Sequence, residues 1–419
     1  MNNSKDEYYL QAVTELGDTR KIVASQNIYS QSGVMLVASG VTVTSSLYER
    51  LVRHVLLKPL DMSLSTDDMV DVETLWKDIQ DLVRMNLKLA KMVNIIDKGC
   101  PLRRTIFSIQ IPVPLCFKLT VARDKFPNIY QKSLSTLIIS AYLARCDGMN
   151  LEAERNVATA ALFHDIGMMH IDPALLDPTH IMNGEQRKHL YAHPLTAYLL
   201  LREFLELPKC ISDAVLEHHE RMDGRGYPRG LQGNSIRRYA QILAIADVAG
   251  RALDVGSSAE QCQQLEVMLK LNSKQYGGGL IGFLSTFWEH GDADRTESLG
   301  NSDELVSQVG QITKLFDDFE NHDQDSKGNE VYNFAKNRLA GLKLALLDAG
   351  FDPHDPDVLI QRFADDPEFM MNYAPLLKET LWQFKTLVQD ISRRWSDKVP
   401  LERNEHAWLN MMELVLMAV

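Results

Sequence analysis

His164-Asp165-Ile166-Gly167, His193-Pro194 and His218-His219-Glu220 punctuate residues 164–219, a stretch holding seven of the chain's twelve histidines. Behind them come Asp223-Gly224-Arg225-Gly226-Tyr227-Pro228 and then Asp247, in the apolar run Ala244-Ile245-Ala246-Asp247. An aspartate has two oxygens and can bridge two cations, and the adjacent His164 offers an imidazole nitrogen to one of them. His218 and His219 fall about 100° apart around a helix, so both can address one ion from different angles. A carboxylate in an apolar run, as at Asp247, is costly to bury unless it is paired or metal-bound. Imidazoles mixed with carboxylates suit Fe, Mn, Ni or Zn better than Mg or Ca, so one or two divalent transition-metal ions are expected. A pair of such ions suits in-line attack on a phosphodiester. A lone His-Asp or His-His pair is as well explained by structure; the whole ordered set is not.

Outward from these motifs, apolar residues recur at helical spacing. Leu134, Leu137, Ile138, Ala141 and Tyr142 form one stripe of a helix expected over 133–146. Further helices are expected over 151–163, 184–205, 209–221 and 239–253, making a metal-binding helical domain of 128–291. Residues 1–70 read differently. Segments 21–25 and 33–44 are rich in Val, Ile, Ser, Thr and Gly, the pattern of short strands and tight turns. A helix over 45–54, capped by Thr44 or Ser45, completes a small mixed α/β module suited to sensing or docking. Residues 71–127 are expected to hold a connecting helix over 72–98 and a linker broken at Ile111-Pro112-Val113-Pro114. Residues 300–419 form a C-terminal helical region, with helices over 305–319, 333–347, 356–363 and 367–395 and an acidic loop over 317–327. The fold class is therefore mainly α.

The hydrophobic share of 45% and charged share of 24% are those of an ordinary soluble protein. A net charge of −12 argues against a long nucleic acid as partner, and an anionic substrate would need local cations. The five cysteines are scattered and contain no CxxC, which points to a reducing, cytoplasmic setting. The first residues lack the apolar core of a signal peptide, and no run of about 18 apolar residues suggests a membrane span.

The chain resembles the HD-GYP branch of the HD-domain metal-dependent phosphohydrolases. The resemblance rests on Ala161-Leu162-Phe163-His164-Asp165-Ile166-Gly167, Ala192-His193-Pro194 and Glu217-His218-His219-Glu220. It continues through Asp223-Gly224-Arg225-Gly226-Tyr227-Pro228-Arg229-Gly230-Leu231 and Ile242-Leu243-Ala244-Ile245-Ala246-Asp247-Val248. It implies a metal-dependent phosphodiesterase that hydrolyses a cyclic dinucleotide, cyclic di-GMP above all, in bacterial signal transduction. It implies His164, Asp165, His193, His218, His219 and Asp247 as metal ligands, with Asp165 bridging and Asp165 and His164 catalytic. Gly226, Tyr227 and Pro228, flanked by Arg225 and Arg229, would lie beside the site and contact substrate or a partner such as a diguanylate cyclase.

Two departures stand out. Where the family places a further ligating histidine this chain has Lys132, and where it places a phosphate-binding lysine it has Met168. The Lys132 ammonium either takes a cation's place, leaving one metal to His193, His218, His219 and Asp165, or turns to solvent. His170 stands two residues beyond Met168, either as a substitute donor or as a supporting residue. Arg225, Arg229, Arg237 and Arg238 form a basic group that would draw an anionic dinucleotide or an acidic partner, or else a solvated loop. These departures keep open an alternative: a degenerate, non-catalytic module that binds a nucleotide or a protein.

Overall fold

The computed structural model describes residues 7–176, 180, 184–224, 226–252, 267, 269, 276, 278–284, 287, 302–321, 330–348, 351–365, 367–395, 409 and 412. The chain divides into two compact units, residues 1–257 with 275–283, and residues 258–274 with 284–419.

The first unit opens with helix α1 (Glu7–Thr19), which buries Tyr9, Leu10, Val13 and Leu16. The sequence reading expects no helix there. Strands β1 (Ile22–Ala24), β2 (Ile28–Tyr29) and β3 (Met35–Val37), helix α2 (Tyr48–Val52) and strand β4 (Leu64–Thr66) follow. β1 pairs antiparallel with β4, and β2 with β3. The helix expected over 72–98 is two helices, α3 (Val72–Met85) and α4 (Leu87–Asp97). Asn86 divides them: its side chain accepts hydrogen bonds from the backbone N–H of Lys88 and Leu89 and so caps α4.

After α5 (Leu102–Phe107), the proline patch starts a helix as well as ending a segment. Pro114 sits in the first turn of α6 (Val113–Lys125), where its missing N–H has no helical partner to lose. Pro127 does the same for α7 (Pro127–Cys146). α8 (Leu151–Phe163) is capped by Asn150, whose side chain accepts from Ala153 N–H at 2.9 Å.

The span expected as one helix over 184–205 is also divided, into α9 (Gly184–Leu190) and α10 (His193–Leu201). Pro194 explains the break. Its ring excludes the carbonyl four residues back, at Leu190, from a continuous helix. α11 (Lys209–Glu217), α12 (Arg238–Ala252) and the short α13 (Gly278–Gly282) complete the unit.

α7 is central and packs on α8 and α12. Leu134, Leu137, Ile138, Ile139 and Leu143 of α7 meet a core to which α8 gives Val157, Leu162 and Phe163, and α12 gives Ile242, Leu243 and Ile245. Each such aliphatic side chain contributes roughly 1.5–3 kcal/mol on burial. The result is a three-helix frame that carries His164 at the end of α8 and Asp247 within α12.

The second unit contains α14 (Ser302–Asn321), α15 (Glu330–Asp348), α16 (Pro356–Asp365) and α17 (Pro367–Trp395). Its core joins Val309, Ile312, Leu315 and Phe316 of α14 to Leu377, Phe384 and Leu387 of α17, with the rings of Phe316 and Phe384 edge to face at 5.1 Å. Residues 317–321, expected in a loop, extend α14, and 322–329 lie outside the described residues. No helix among the described residues is long and apolar enough to cross a membrane.

Candidate metal centre

Six motif residues converge at the ends of α8, α10 and α11 and on α12. His164 ends α8 and Asp165 begins the tight turn Ile166–His170. His193 starts α10, His218 and His219 follow α11, and Asp247 lies within α12. All six are buried. They form two groups whose ligand atoms lie within 4.8 Å of one another: His193, His218 and His219 in one, and His164, Asp165 and Asp247 in the other.

Three of the imidazoles are aimed by the backbone. His164 Nδ1 donates to Ala161 O at 2.7 Å, His193 Nδ1 to Leu190 O at 2.8 Å and His218 Nδ1 to Val215 O at 2.6 Å. A carbonyl can only accept, so each Nδ1 carries a proton and each Nε2 faces the site. The Leu190 carbonyl is the one that Pro194 keeps out of a continuous helix, so the helix break and the ligand orientation have one cause. His219 Nε2 faces His193 Nε2 at 3.1 Å, and His218 Nε2 is fully buried with no hydrogen-bond partner. Three nitrogens turned to one enclosed point, one of them orphaned, fit a metal ion held by three imidazoles with a further position open.

Asp165 stands between the two groups with one oxygen turned to each. Its Oδ1 lies 3.4 Å from His193 Nε2 and 3.9 Å from His218 Nε2. Its Oδ2 lies 3.2 Å from His164 Nε2, and Asp247 Oδ1 lies 3.3 Å from that same nitrogen. Lys132 does not turn to solvent. Its Nζ donates to Asp165 Oδ2 at 2.6 Å and pairs with Asp247 Oδ1 at 2.5 Å.

Burial and charge set the protonation of these groups. Burial pushes the His218 imidazole down to about 3, with His164 and His193 adding to the effect. Burial likewise lowers His193, and it holds His219 well below the ordinary histidine value with help from His218 and His193. These three rings are therefore neutral near pH 7, the form that binds metal. Burial also pulls His164 down, but the Asp165 and Asp247 carboxylates outweigh it and raise it to about 9. Burial would raise Asp165, yet His164 and Lys132 hold its carboxyl well below the usual range.

The Gly226-Tyr227-Pro228 loop is fastened to the end of α11. The fully buried Glu217 binds the guanidinium groups of Arg229 and Arg237 and accepts from Arg237 N–H at 3.0 Å. Glu220 accepts from the N–H groups of Arg229 at 2.7 Å and Leu231 at 2.8 Å. The Tyr227 ring stacks on Tyr191 at 4.3 Å and on His219 at 4.7 Å. A Cβ at Gly226 would stand 2.3 Å from Glu220 Cα, so only glycine lets the loop lie against this turn. Pro228 is exposed.

The basic group of the sequence reading is largely engaged within the protein. Arg229 and Arg237 meet Glu217, Arg237 also meets Asp213 at 3.2 Å, and Arg238 binds Asp147. Arg225 lies outside the described residues. Met168 is half-buried on the turn after Asp165 and brings neither charge nor a donor. His170 is buried elsewhere: its ring stacks on Tyr9 at 4.8 Å and its Nε2 lies 3.4 Å from Lys118 Nζ. His189 and His193 share no helical face, because the break at 191–192 separates them.

Sequence reasoning gave Glu220 and Tyr191 no role, and gave Glu217 only the support of the helix that ends in His218 and His219. It also passed over a buried cluster in which Lys118 pairs with Asp61 at 2.9 Å, its ammonium lies over the Tyr9 ring, and Tyr9 bonds Asp61. A signal existed: Lys118 is the lone charge in Leu115-Cys116-Phe117-Lys118-Leu119-Thr120-Val121, where an unpaired ammonium would be costly.

The histidine and aspartate groups and the Gly-Tyr-Pro loop together make a candidate metal centre on a helical frame. Residues 119–276 match the HD domain family model. The match concerns these residues and not the remainder of the chain. The chain is 34% identical over 120 residues to the 3'3'-cGAMP-specific phosphodiesterase 1 of Vibrio cholerae, covering 28% of this chain and 27% of that protein. It is 36% identical over 115 residues to the cyclic di-GMP phosphodiesterase response regulator RpfG of Xanthomonas campestris, covering 26% and 29%. It is 29% identical over 125 residues to the cyclic di-GMP phosphodiesterase PA4108 of Pseudomonas aeruginosa, covering 30% of each. The chain thus spans under a third of the length of these curated relatives.

Proposed function

We propose that this protein is a metal-dependent phosphodiesterase acting on a cyclic dinucleotide, with cyclic di-GMP the leading substrate. The observation that carries the reading is the convergence of His193, His218 and His219 beside Asp165, with the buried His218 Nε2 left without a partner. Iron, manganese, nickel and zinc all suit three imidazoles and a carboxylate. The relatives named as cyclic-dinucleotide phosphodiesterases supply the substrate class.

A bound divalent ion would supply Lewis acidity toward a phosphoryl oxygen and an activated water. The residues of this chain do the rest. His193, His218 and His219 would hold the ion, Asp165 ties that corner to the other half of the centre, and His164 and Lys132 hold Asp165 in place. The Tyr227 ring, stacked on His219, fixes the ligand it covers. The bound ion would supply the local positive charge that an anionic substrate needs in a chain of net charge −12. The Gly226-Tyr227-Pro228 loop lies beside the centre and is proposed to border the substrate. A diguanylate cyclase docking there would meet Gly226, Tyr227 and Pro228, since Arg229 already serves Glu217. Residues 1–70 are proposed as a sensing or docking module, and the cytoplasm as the setting.

The test is incubation of manganese- or iron-loaded protein with cyclic di-GMP, with metal content measured on the same sample. Linear dinucleotide or GMP should form, and Asp165→Ala should abolish it. Metal-bound protein that yields no product would sink the proposal. It would favour the second reading, a nucleotide-binding module without turnover, to which Met168 at a phosphate-binding position already points.

A further inference from the structure

We infer that Lys132 is the resident cation of one half of this centre, so that the chain holds a single divalent metal ion, at His193, His218 and His219. The inference rests on the metal-centre reading above and decides how many ions that centre takes.

The geometry divides the site into two halves around one carboxylate. Asp165 Oδ1 faces His193 and His218, while Asp165 Oδ2 faces His164 and Lys132. The half formed by His164, Asp165 and Asp247 is a donor cluster of ordinary metal-site composition. Its cation position is where the two carboxylate oxygens and His164 Nε2 converge. The Lys132 ammonium touches the two oxygens at 2.6 and 2.5 Å, and these are the same oxygens that His164 Nε2 approaches at 3.2 and 3.3 Å. A divalent ion in that position would contend with a positive charge bonded to two of its three ligands.

The lysine is also built into the frame. It lies on α7, which packs against α8 and α12, the helices that carry His164 and Asp247. Its side chain is only 24% exposed. Without the ammonium, two buried carboxylates would face each other with His164 alone between them, so some cation is required there. In the other half His218 Nε2 is buried among three converging imidazoles and has no hydrogen-bond partner. One half is therefore closed by the protein's own charge and the other is open to metal.

The test is metal content of the full chain after loading with Mn²⁺ or Zn²⁺ and gel filtration, measured by mass spectrometry. The native chain should carry one ion per chain, and His219→Ala should carry none. Lys132→His should carry two. Lys132→Ala should melt below the native chain in chelator, and should gain more than the native chain when Mn²⁺ is added, because a second ion replaces the missing ammonium. Two ions in the native chain would overturn the inference and leave the metal centre standing. One ion in both Lys132 variants, with native circular dichroism, would overturn it as well. No ion in any variant or in the native chain would overturn the metal centre and this inference together.

Discussion

Replacing Gly167 by alanine should loosen the metal centre without touching any of its ligands. Gly167 lies on the turn after Asp165, against the start of α10. A Cβ there would stand 2.2 Å from His193 O, 2.9 Å from His193 C and 3.1 Å from Ala197 N. All three are backbone atoms, so no side chain can swing aside. Ordinary contact begins near 3.4 Å, so the turn and α10 must part by roughly 1 Å. That motion separates Asp165 from His193, whose Oδ1 and Nε2 are now 3.4 Å apart. Overpacking of this size costs about 1–3 kcal/mol, which lowers the melting temperature by roughly 2–12 °C in a unit of this length. A ligand displaced by about 1 Å costs on the order of 100-fold in rate where geometry governs chemistry.

The assays are thermal unfolding in chelator and competition for Zn²⁺ against a chelator of known affinity. Gly167→Ala should melt lower and hold metal more weakly. Gly279→Ala is the control, since a Cβ there meets nothing within 4 Å. A Gly167→Ala protein with native melting temperature and native metal affinity would refute the argument that this glycine sets the Asp165–His193 distance.

Two further changes test the fold around the site. Lys118→Met should destabilise the first unit by about 3–5 kcal/mol, because it leaves the buried Asp61 carboxylate without its ammonium; urea unfolding measures this, and an unchanged midpoint would contradict it. In the second unit, burial pushes the Glu379 carboxyl up from 4.5 to about 7. A group raised on folding stabilises fully below its unfolded value and loses that contribution as pH rises through its folded value. The second unit should therefore lose roughly 3 kcal/mol between pH 4.5 and 7 through this group, and Glu379→Gln should remove that dependence in calorimetric scans across the range.

The nearness of the motif residues was legible because the resemblance that orders them also implies that they meet. His193, His218 and His219 gather in one buried group and His164, Asp165 and Asp247 in another. The arginines were not legible as they stand. Arg238 meets Asp147 across 91 residues of sequence, and Arg229 and Arg237 turn in to Glu217. A run of positive charge in sequence does not reveal which acids a fold will bring to it. Helix breaks misled for a different reason. Apolar spacing runs straight through Asn86 and Pro194, yet a side-chain cap at the first and a lost N–H at the second outweigh it. α1 was missed although Tyr9, Leu10, Val13 and Leu16 have helical spacing, because the Gly- and Ser-rich strands behind it dominate the composition of that segment.

The backbone bonds of the histidines bear on how any ligand variant is interpreted. The last carbonyls of a helix have no partner within it, and a histidine at that end can satisfy one. His164 does so for Ala161, His218 for Val215 and His193 for Leu190. Each of these side chains therefore serves the helix through Nδ1 and the centre through Nε2. Truncating one removes a ligand and also leaves a carbonyl unsatisfied, at a cost of roughly 1–3 kcal/mol where it is buried. Loss of metal and loss of fold would then arrive together in His164→Ala, His193→Ala or His218→Ala. His219 differs: its ring stacks on Tyr227, packs on the His218 ring at 4.0 Å and approaches His193 Nε2. His219→Ala should thus lose the metal while its melting temperature in chelator stays closer to native than that of His218→Ala. An equal drop in both would mean that the imidazole–carbonyl bonds contribute little to the helix ends.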